Sequence, residues 1–139
     1  MTNQSECIFC KIAAGDIPST KVYESDFALA FMDISPVAKG HVLLIPKKHF
    51  TTIDQIPADD ASAFLCELPK LAKAVQQATC CSGINILQNN GASAGQVVGH
   101  VHFHIIPRYS DDEFNFNWPA KNADSEQVAK LAEQISSLV

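Results

Sequence analysis

His100, His102 and His104 alternate with apolar residues, and this pattern constrains the fold more than any other part of the chain. Successive side chains of a β-strand point to opposite faces, so the three imidazoles are expected on one face, with Val101 and Phe103 packed on the other. At a rise of about 3.3 Å per residue, the outer two Cα atoms lie roughly 13 Å apart, too far for all three rings to bind one ion. The pattern predicts a strand whose apolar face is buried and whose histidines have separate roles.

The chemistry of such a row is versatile. Because the unperturbed pKa of histidine is about 6.5, each ring can act near pH 7 as a nucleophile, a proton carrier or a metal ligand. The alternative interpretation is a strand that carries incidental surface histidines. The apolar residues behind the row disfavour that alternative.

Length and charge limit the class of protein. The length of 139 residues and the apolar content of 47% predict a single domain, 1–139, with a substantial core. The formal net charge of −5 argues against a polynucleotide partner, which is normally met by a basic surface. Small phosphorylated ligands are compatible with this charge, because backbone N–H groups and local dipoles can hold them.

The ends and the apolar runs of the chain bear on its location. Residues 42–45 are typical of the longest apolar runs and fall far short of the roughly 20 residues that cross a bilayer. The first six residues are polar and lack the basic start of an export signal. The sequence therefore predicts a cytoplasmic protein with no membrane partner.

Hydrophobic periodicity predicts the elements of the fold. Strands are expected at residues 21–24, 27–32, 41–46, 83–87 and 98–106. Helices are expected at residues 7–14, at 59–78 with Asp59 as the cap and Pro69 as a bend or interruption, and from Ser125 onward. These elements do not alternate as βαβ units do. The sequence predicts an α+β fold, with an antiparallel sheet of about five strands, one long helix, and short N- and C-terminal helices, the helices packing on one side of the sheet.

Cys7 and Cys10 form a C-x₂-C pair, which supplies half of a tetrahedral zinc site. His49 and His100 are the natural donors for the other half. The alternative is that the two cysteines serve as small hydrophobic residues on a short helix. An odd count of five cysteines argues against a disulfide framework, and Cys66, Cys80 and Cys81, which lack such spacing, are interpreted as structural.

Small residues fill the loop that precedes the histidine row. Gly91 and Gly95 permit tight curvature, so the N–H groups around Gln96, Val97 and Val98 can converge on phosphate oxygens. A phosphate cradle beside a nucleophile is what phosphoryl or nucleotidyl transfer requires. The loop is therefore a candidate phosphate site.

Residues 100–106, read as His-Val-His-Phe-His-Ile-Ile, resemble the signature of the histidine triad (HIT) superfamily. Residues 31–36, 40–49 and 94–98 resemble the other segments of that family, in the same order. The resemblance covers about residues 7–108 and is closest to the bacterial-type branch that carries zinc. It implies a HIT-like fold and a homodimer that extends the sheet and brings the C-terminal segment, 109–139, near the partner's site.

The resemblance also implies an activity. The protein would be a nucleotidyl hydrolase or transferase, similar to a purine nucleoside phosphoramidase, and His102 would attack the α-phosphorus to form a covalent nucleotidyl-histidine. His104 would contact the phosphate or assist the leaving group, and the backbone carbonyl of His41 would fix the tautomer of His102. The alternatives are a dinucleoside polyphosphate hydrolase, and a zinc- and nucleotide-binding module of low turnover that acts through partners.

A nucleotide of the AMP or GMP type is placed by the same resemblance. Asp33 would bind the ribose hydroxyls. The base would lie among Phe9, Ile17, Phe31 and Ile34, and the ribose and phosphate would meet Asn89, Gly95, Gln96, Val97 and Val98. The simpler alternatives are core packing for Phe9, Phe31 and Ile34, and a turn role for Asp33.

Zinc and the leaving group are the two remaining expectations. The resemblance implies a structural Cys₂His₂ zinc site of Cys7, Cys10, His49 and His100, which leaves His102 and His104 for chemistry. Val97 departs from the family, because a serine or threonine that reaches the leaving group commonly stands there. The preference for a phosphoramidate over a polyphosphate is therefore open.

Overall fold

A computed structural model describes residues 4–139 of the chain. In this part of the chain five strands form one antiparallel sheet in the order β1-β2-β3-β5-β4. The strands are β1 (Lys21–Glu24), β2 (Ala28–Met32), β3 (Val42–Pro46), β4 (Gly83–Gln88) and β5 (Phe103–Arg108). The expected α+β fold with an antiparallel sheet of five strands is confirmed.

Both faces of the central strands are buried, because helices cover the sheet on both sides. Alternate residues of β2 and β3, such as Ala30 and Leu44, pack with Phe64, Leu71 and Val75 of the long helical segment. The intervening residues of the same strands face Cys7 and Phe9 at the start of the first helix. The expectation that the helices pack on one side is therefore wrong for the N-terminal helix, which lies on the opposite face.

The first helix, α1 (Ile8–Ala14), begins after Cys7 and ends at Gly15, whose φ of 84° is the left-handed conformation that glycine adopts without strain. The predicted long helix is two helices, α2 (Ala58–Leu65) and α3 (Leu68–Thr79). Pro69 is the second residue of α3, where its missing N–H costs nothing, so the proline begins a new helix and does not bend an old one. Asp59 is not the cap, since Pro57 precedes the first turn.

The histidine row differs from its prediction at one end. Strand β5 begins at Phe103, so His100 and His102 precede the strand in irregular backbone. The alternation nevertheless holds, because Val101, Phe103 and Ile105 are buried against the α2–α3 side. The side chains of His100 and His102 thus point away from Val101 and Phe103, as predicted, although these two histidines are not part of a strand.

The C-terminal part of the chain packs less than the rest. Residues 115–124 contain neither helix nor strand, and α4 (Ser125–Leu138) follows, capped by the Asp124 side chain, which accepts a hydrogen bond from the N–H of Gln127 at 3.0 Å. No residue of α4 is buried. Among residues 4–139 no helix has the length and apolarity needed to cross a bilayer.

Candidate functional site

A cavity of about 680 Å³ opens on the sheet face that carries α1, a volume in the usual range for small-molecule sites. Its wall combines apolar side chains with a few polar ones. Of the residues expected at a nucleotide site, those that line the cavity are Phe9, Ile17, Phe31, Asp33, Ile34, His41, Asn89, Gly95, Val97, Val98, His102 and His104. Gln96 does not line it.

His102 lies in the cavity wall with its ring held from two sides. Its Nδ1 donates a hydrogen bond to the backbone carbonyl of His100, at 2.7 Å, so the second nitrogen, Nε2, keeps its lone pair. The ring of Phe9 packs edge-on against it, with centroids 5.1 Å apart. The carbonyl of His41, expected to hold this ring, instead accepts the N–H of Asp33 at 3.0 Å. The nucleophile candidate is therefore oriented by its own near neighbour in sequence.

His104 and His41 form a pair beside His102. The Nε2 atom of His41 lies 2.9 Å from the Nδ1 atom of His104, and the Oδ2 atom of Asp33 lies 3.5 Å from the same His41 nitrogen. Burial, with the nearby charges of His102 and His41, lowers the pKa of His104 to about 4. Burial also lowers the pKa of His41, against an opposing effect of Asp33. Both pKa shifts favour the neutral ring near pH 7.

Four of the apolar residues expected at the nucleotide site fall into two groups. Phe9 and Phe31 are buried and pack edge to face, with centroids 5.7 Å apart, so each is at once a core residue and part of the cavity wall. Ile34 and Val97 are 96% and 94% exposed, which excludes core packing and puts both at the rim. Core packing therefore describes part of the role of Phe9 and Phe31. It does not describe Ile34.

Asp33 has its expected turn role, and its side chain also lines the cavity. One carboxylate oxygen accepts the N–H of Ser35 at 2.8 Å, which is the turn role. The residue also lines the cavity, and its second oxygen faces His41. The turn thus holds a carboxylate at the cavity wall.

Gln96 braces the loop and does not present its amide to the cavity. The side-chain oxygen accepts the N–H of Gly91 at 2.7 Å, and the side-chain nitrogen donates to the carbonyls of Thr51 and Val98, at 2.7 and 3.1 Å. These bonds engage both the oxygen and the nitrogen of the side-chain amide within the protein, and contact of Gln96 with ribose or phosphate stays a prediction. The residue shapes the segment that carries Gly95 and Val97 to the cavity.

The four expected zinc ligands converge. One ligand atom from each of Cys7, Cys10, His49 and His100 lies within 4.8 Å of all the others. The Nδ1 of His100 is 3.4 Å from the sulfur of Cys7 and 3.5 Å from that of Cys10, and the Nδ1 of His49 is 3.2 Å from Cys10. In a tetrahedral site with Zn–S near 2.3 Å and Zn–N near 2.0 Å, sulfur and nitrogen ligands lie roughly 3.5 Å apart.

The surroundings of this cluster also fit a metal ion. His100 donates its Nε2 proton to the carbonyl of Pro46 at 2.9 Å, which leaves Nδ1 as a lone-pair donor toward the thiols. Burial raises the pKa of the Cys10 thiol to about 11, and the neighbouring Cys7 adds to the rise. A divalent cation supplies the opposite charge that two adjacent thiolates need. The donor set, the spacing and the fixed tautomer of His100 therefore fit zinc.

Phe114 is a cavity residue that the sequence did not predict. Arg108 holds the segment that carries it, since its guanidinium pairs with the Asp112 carboxylate at 2.7 Å and donates to the Phe114 carbonyl. The Phe114 ring also lies against the same guanidinium, 4.9 Å from its central carbon. The sequence signal was the Arg108 and Asp112 pair at a spacing of four residues, followed by two phenylalanines.

These features define a class of protein: a small α+β domain whose ligand cavity is lined by a histidine cluster and joined to a Cys₂His₂ site. The chain belongs to the HIT domain family, whose model matches residues 14–111. It is 41% identical over 134 residues to adenosine 5'-monophosphoramidase hnt1 of Schizosaccharomyces pombe, covering 96% of this chain and 98% of that protein.

Solved structures agree with this assignment. A HIT family protein from Bacillus subtilis superposes with a TM-score of 0.91 at 43% identity, covering 96% of each chain. A zinc-bound histidine triad family protein from Mycobacterium smegmatis gives a TM-score of 0.75 at 31% identity, covering 97% of this chain and 99% of that one. The expected family, fold and hydrolase class are confirmed.

Proposed function

We propose that this protein is a nucleotidyl hydrolase that cleaves a nucleoside monophosphate from its leaving group through a covalent intermediate on His102. One observation carries the proposal: Nδ1 of His102 donates to the His100 carbonyl, so the tautomer of the neutral ring has its lone pair on Nε2, and this ring lines a nucleotide-sized cavity. A neutral imidazole with a fixed tautomer is a competent nucleophile near pH 7.

The reaction proceeds in two displacements. The lone pair of His102 Nε2 attacks the α-phosphorus, an N–P bond forms, and the bond to the leaving group breaks, with the leaving group taking its electron pair and a proton from solvent. Water then attacks the same phosphorus and loses a proton to solvent, the electron pair of the N–P bond returns to Nε2 of His102, and the nucleoside monophosphate departs. The two steps replace one difficult hydrolysis by two easier ones.

The lining residues suggest how a nucleotide would lie in the cavity. The apolar wall of Phe9, Ile17 and Phe31 suits a purine base, and the Asp33 carboxylate suits the ribose hydroxyls. Gly95 and Val98 line the same cavity as His102, and their backbone would meet the phosphate. Ile34 and Val97, at the rim, would also contact the nucleotide.

Two kinds of leaving group are candidates for the preferred substrate. The similarity to adenosine 5'-monophosphoramidase hnt1 favours a phosphoramidate, whose nitrogen leaving group needs a proton. The hydrocarbon side chain of Val97, which is 94% exposed at the rim, favours a polyphosphate, which leaves without such help. Adenosine phosphoramidate is the first substrate to test and a diadenosine polyphosphate is the second.

Zinc would be held by Cys7, Cys10, His49 and His100 as a structural ion. When bound, it would supply a fixed positive charge that ties α1 to the segment before β5. The side chain of His100 is buried within this cluster, and its backbone carbonyl orients His102. The metal site would therefore support the nucleophile without contacting the substrate.

Three further expectations stay predictions. These are the homodimer, the cytoplasmic location, and the alternative of a module with low turnover. Light scattering of the purified protein measures whether it is a homodimer. The rate of turnover decides whether it is a module with low turnover.

The test is release of nucleoside monophosphate from adenosine 5'-phosphoramidate and from a diadenosine polyphosphate, assayed separately. Wild type is expected to release AMP from at least one of them, and His102→Ala is expected to bind AMP without turnover. Gln127→Ala, on the exposed helix α4, serves as the control. AMP binding by wild type without any turnover would support the binding-module alternative instead.

A further inference from the structure

Residues 109–114, the segment that follows β5, are fastened to the sheet by Arg108. The guanidinium of Arg108 donates through Nε and one terminal nitrogen to the two carboxylate oxygens of Asp112, at 2.9 and 2.7 Å. The other terminal nitrogen donates to the side-chain oxygen of Asn85 on β4 at 2.8 Å, and the Phe114 carbonyl accepts a further bond. Four of the five N–H groups of this guanidinium are therefore engaged within the protein.

Two contacts of Tyr109 fasten the start of the same segment. Its backbone N–H donates to the Asp112 carboxylate at 2.8 Å, and its hydroxyl donates to the carbonyl of Lys39 at 2.7 Å. The hydrogen bonds from Arg108 lower the pKa of Asp112 to about 2, so the ion pair persists at neutral pH. With the segment fastened in this way, the Phe114 ring lies 4.9 Å from the guanidinium carbon and forms part of the cavity wall.

Phe114 borders the cavity on the side of His104 that faces away from the nucleophile candidate. Alternate residues of a strand share a face, so His104, Ile106 and Arg108 form one row on the cavity side of β5. His102 begins this row just before the strand, and its ring lies 5.0 Å from that of His104. Ile106 lines the cavity beyond the two histidines, and Phe114 packs against Arg108 at the end of the row.

The geometry of displacement at phosphorus gives this end of the cavity a role. In phosphoryl transfer the attacking and leaving atoms lie roughly in line across the phosphorus. With Nε2 of His102 as the attacking atom, the leaving group would lie on the opposite side of the phosphorus, toward Ile106 and Phe114. Both of these side chains are hydrocarbon, and none of the described residues that line the cavity is a lysine or arginine. This end therefore offers an apolar surface to the leaving group.

We propose that Phe114 is a specificity-determining residue that contacts the leaving group, and that Arg108 and Asp112 are the positioning residues that hold it there. The inference rests on the proposed function in that the ligand is a nucleotide whose phosphorus lies beside His102. An aromatic ring in this place stabilises an apolar leaving group by burying its surface, and it adds little for a leaving group as small as ammonia. The contact acts on the choice of leaving group and leaves the binding of the nucleoside monophosphate unchanged.

The test compares two ligands that share a nucleotide and differ in the leaving group: adenosine 5'-phosphoramidate and its N-benzyl derivative. Their dissociation constants are measured by calorimetry with the full chain carrying His102→Ala, the parent protein, which is expected to consume neither ligand. The parent should bind the benzyl derivative about tenfold more tightly than the unsubstituted ligand. Addition of Phe114→Ala should remove most of this preference. Arg108→Lys should do the same, because an ammonium cannot donate the paired bonds that fasten the segment.

Phe116→Ala is the matched control for the deletion of an aromatic ring from this part of the chain. Phe116 packs on the Phe114 ring, with centroids 4.9 Å apart, but does not line the cavity. This variant should keep the preference for the benzyl derivative. All three substitutions should leave the affinity of the parent for AMP unchanged, which shows that the cavity itself is intact.

The outcomes separate this inference from the proposed function. Equal affinity of the parent for both ligands would overturn the inference, and so would a preference that survives Phe114→Ala. Loss of the preference in Phe116→Ala as well would assign the effect to the whole segment and overturn the role of Phe114. Phe114→Ala decides the point even where Arg108→Lys does not fold. Absence of turnover by the chain with intact His102, beside the expected preferences, would sink the proposed function alone.

Discussion

The Nδ1 atom of His102 donates a hydrogen bond to the backbone carbonyl of His100 at 2.7 Å. The side chain of His100 is buried, and its Nδ1 atom lies beside the sulfurs of Cys7 and Cys10 in the Cys₂His₂ cluster. One residue therefore connects the candidate metal site to the candidate nucleophile. Phe9, which lies between Cys7 and Cys10 in sequence and packs on the His102 ring, makes a second connection.

Cys10→Ser is expected to abolish metal binding and lower thermal stability. Wild type should carry about one zinc per chain, and the variant almost none, because a hydroxyl is a poor substitute for a thiolate ligand. A loss of about 3 kcal/mol would lower the midpoint of unfolding by roughly 10 °C for a domain of this size. Metal analysis and calorimetry on the same samples measure both effects.

Cys66→Ser is the matched control for the metal prediction. Cys66 is exposed and lies outside the cluster, and its sulfur donates to the Ala63 carbonyl, a contact that serine can keep. This variant should retain both the metal and the unfolding midpoint. Wild type that purifies without metal and cannot take up zinc would contradict the assignment.

Protonation of His104 is expected to destabilise the fold in acid. Burial lowers the pKa of this ring to about 4 in the folded state, whereas the unfolded chain titrates near its ordinary value of 6.5. Between these values the unfolded state binds more protons, so the contribution of His104 is complete above about pH 6.5 and is lost as the pH falls toward 4. The expected slope reaches about 1.4 kcal/mol per pH unit for one proton.

Urea unfolding of wild type and His104→Gln at pH 7, 6 and 5 measures this effect. The free energy of unfolding should fall more steeply for wild type than for the variant, which has no titrating ring. Both proteins have the same metal ligands, so the difference between them removes the contribution of these ligands to the pH dependence of the free energy of unfolding. Parallel pH profiles would show that the folded protein does not suppress the charge on His104.

Val97→Ser is expected to raise the turnover of adenosine 5'-phosphoramidate by roughly tenfold, because a hydroxyl at the rim can help to protonate the leaving nitrogen. Val97 is almost fully exposed, so the substitution should not affect folding. Turnover of a diadenosine polyphosphate should change little. Steady-state kinetics with both substrates, and with Val97→Ala as the control, test this point; equal rates for the serine and alanine variants would refute it.

Ile105→Ala is expected to destabilise the protein by about 2–5 kcal/mol, the range for large core deletions. Ile105 is fully buried in β5, on the face opposite the cavity. The remaining folded protein should keep its kcat, because no cavity residue changes. Chemical unfolding gives the first quantity, and Val22→Ala at a half-exposed site of β1 should cost less than about 0.5 kcal/mol. A similar loss in both variants would contradict the packing described for β5.

Much of the fold followed from sequence because periodicity and burial agree. Alternation placed Val101 and Phe103 in the core and the histidines away from it, although β5 begins only at Phe103. The split between α2 and α3 was expected only as one of two outcomes at Pro69, because the apolar spacing continues across the break in the helix. Periodicity reports which face is buried and is insensitive to a local interruption of hydrogen bonding.

The site was less predictable where backbone groups decide the outcome. The carbonyl that holds His102 belongs to His100 and not to His41, and the backbone path before β5 determines this. Gln96 had the right chemistry for a ligand contact, yet its amide is engaged by the loop itself. Side-chain types indicate what a residue can do, but competing partners within the loop are visible only in three dimensions.

The most direct test of the central claim is a single-turnover reaction with adenosine 5'-phosphoramidate, quenched in time and followed by peptide mapping. Wild type should show a transient adduct of one adenylyl group on the peptide that contains His102, and the adduct should decay as AMP appears. His102→Ala should show no adduct and lose kcat by roughly 10³-fold or more. Undiminished turnover by His102→Ala, or an adduct on another residue, would contradict the account.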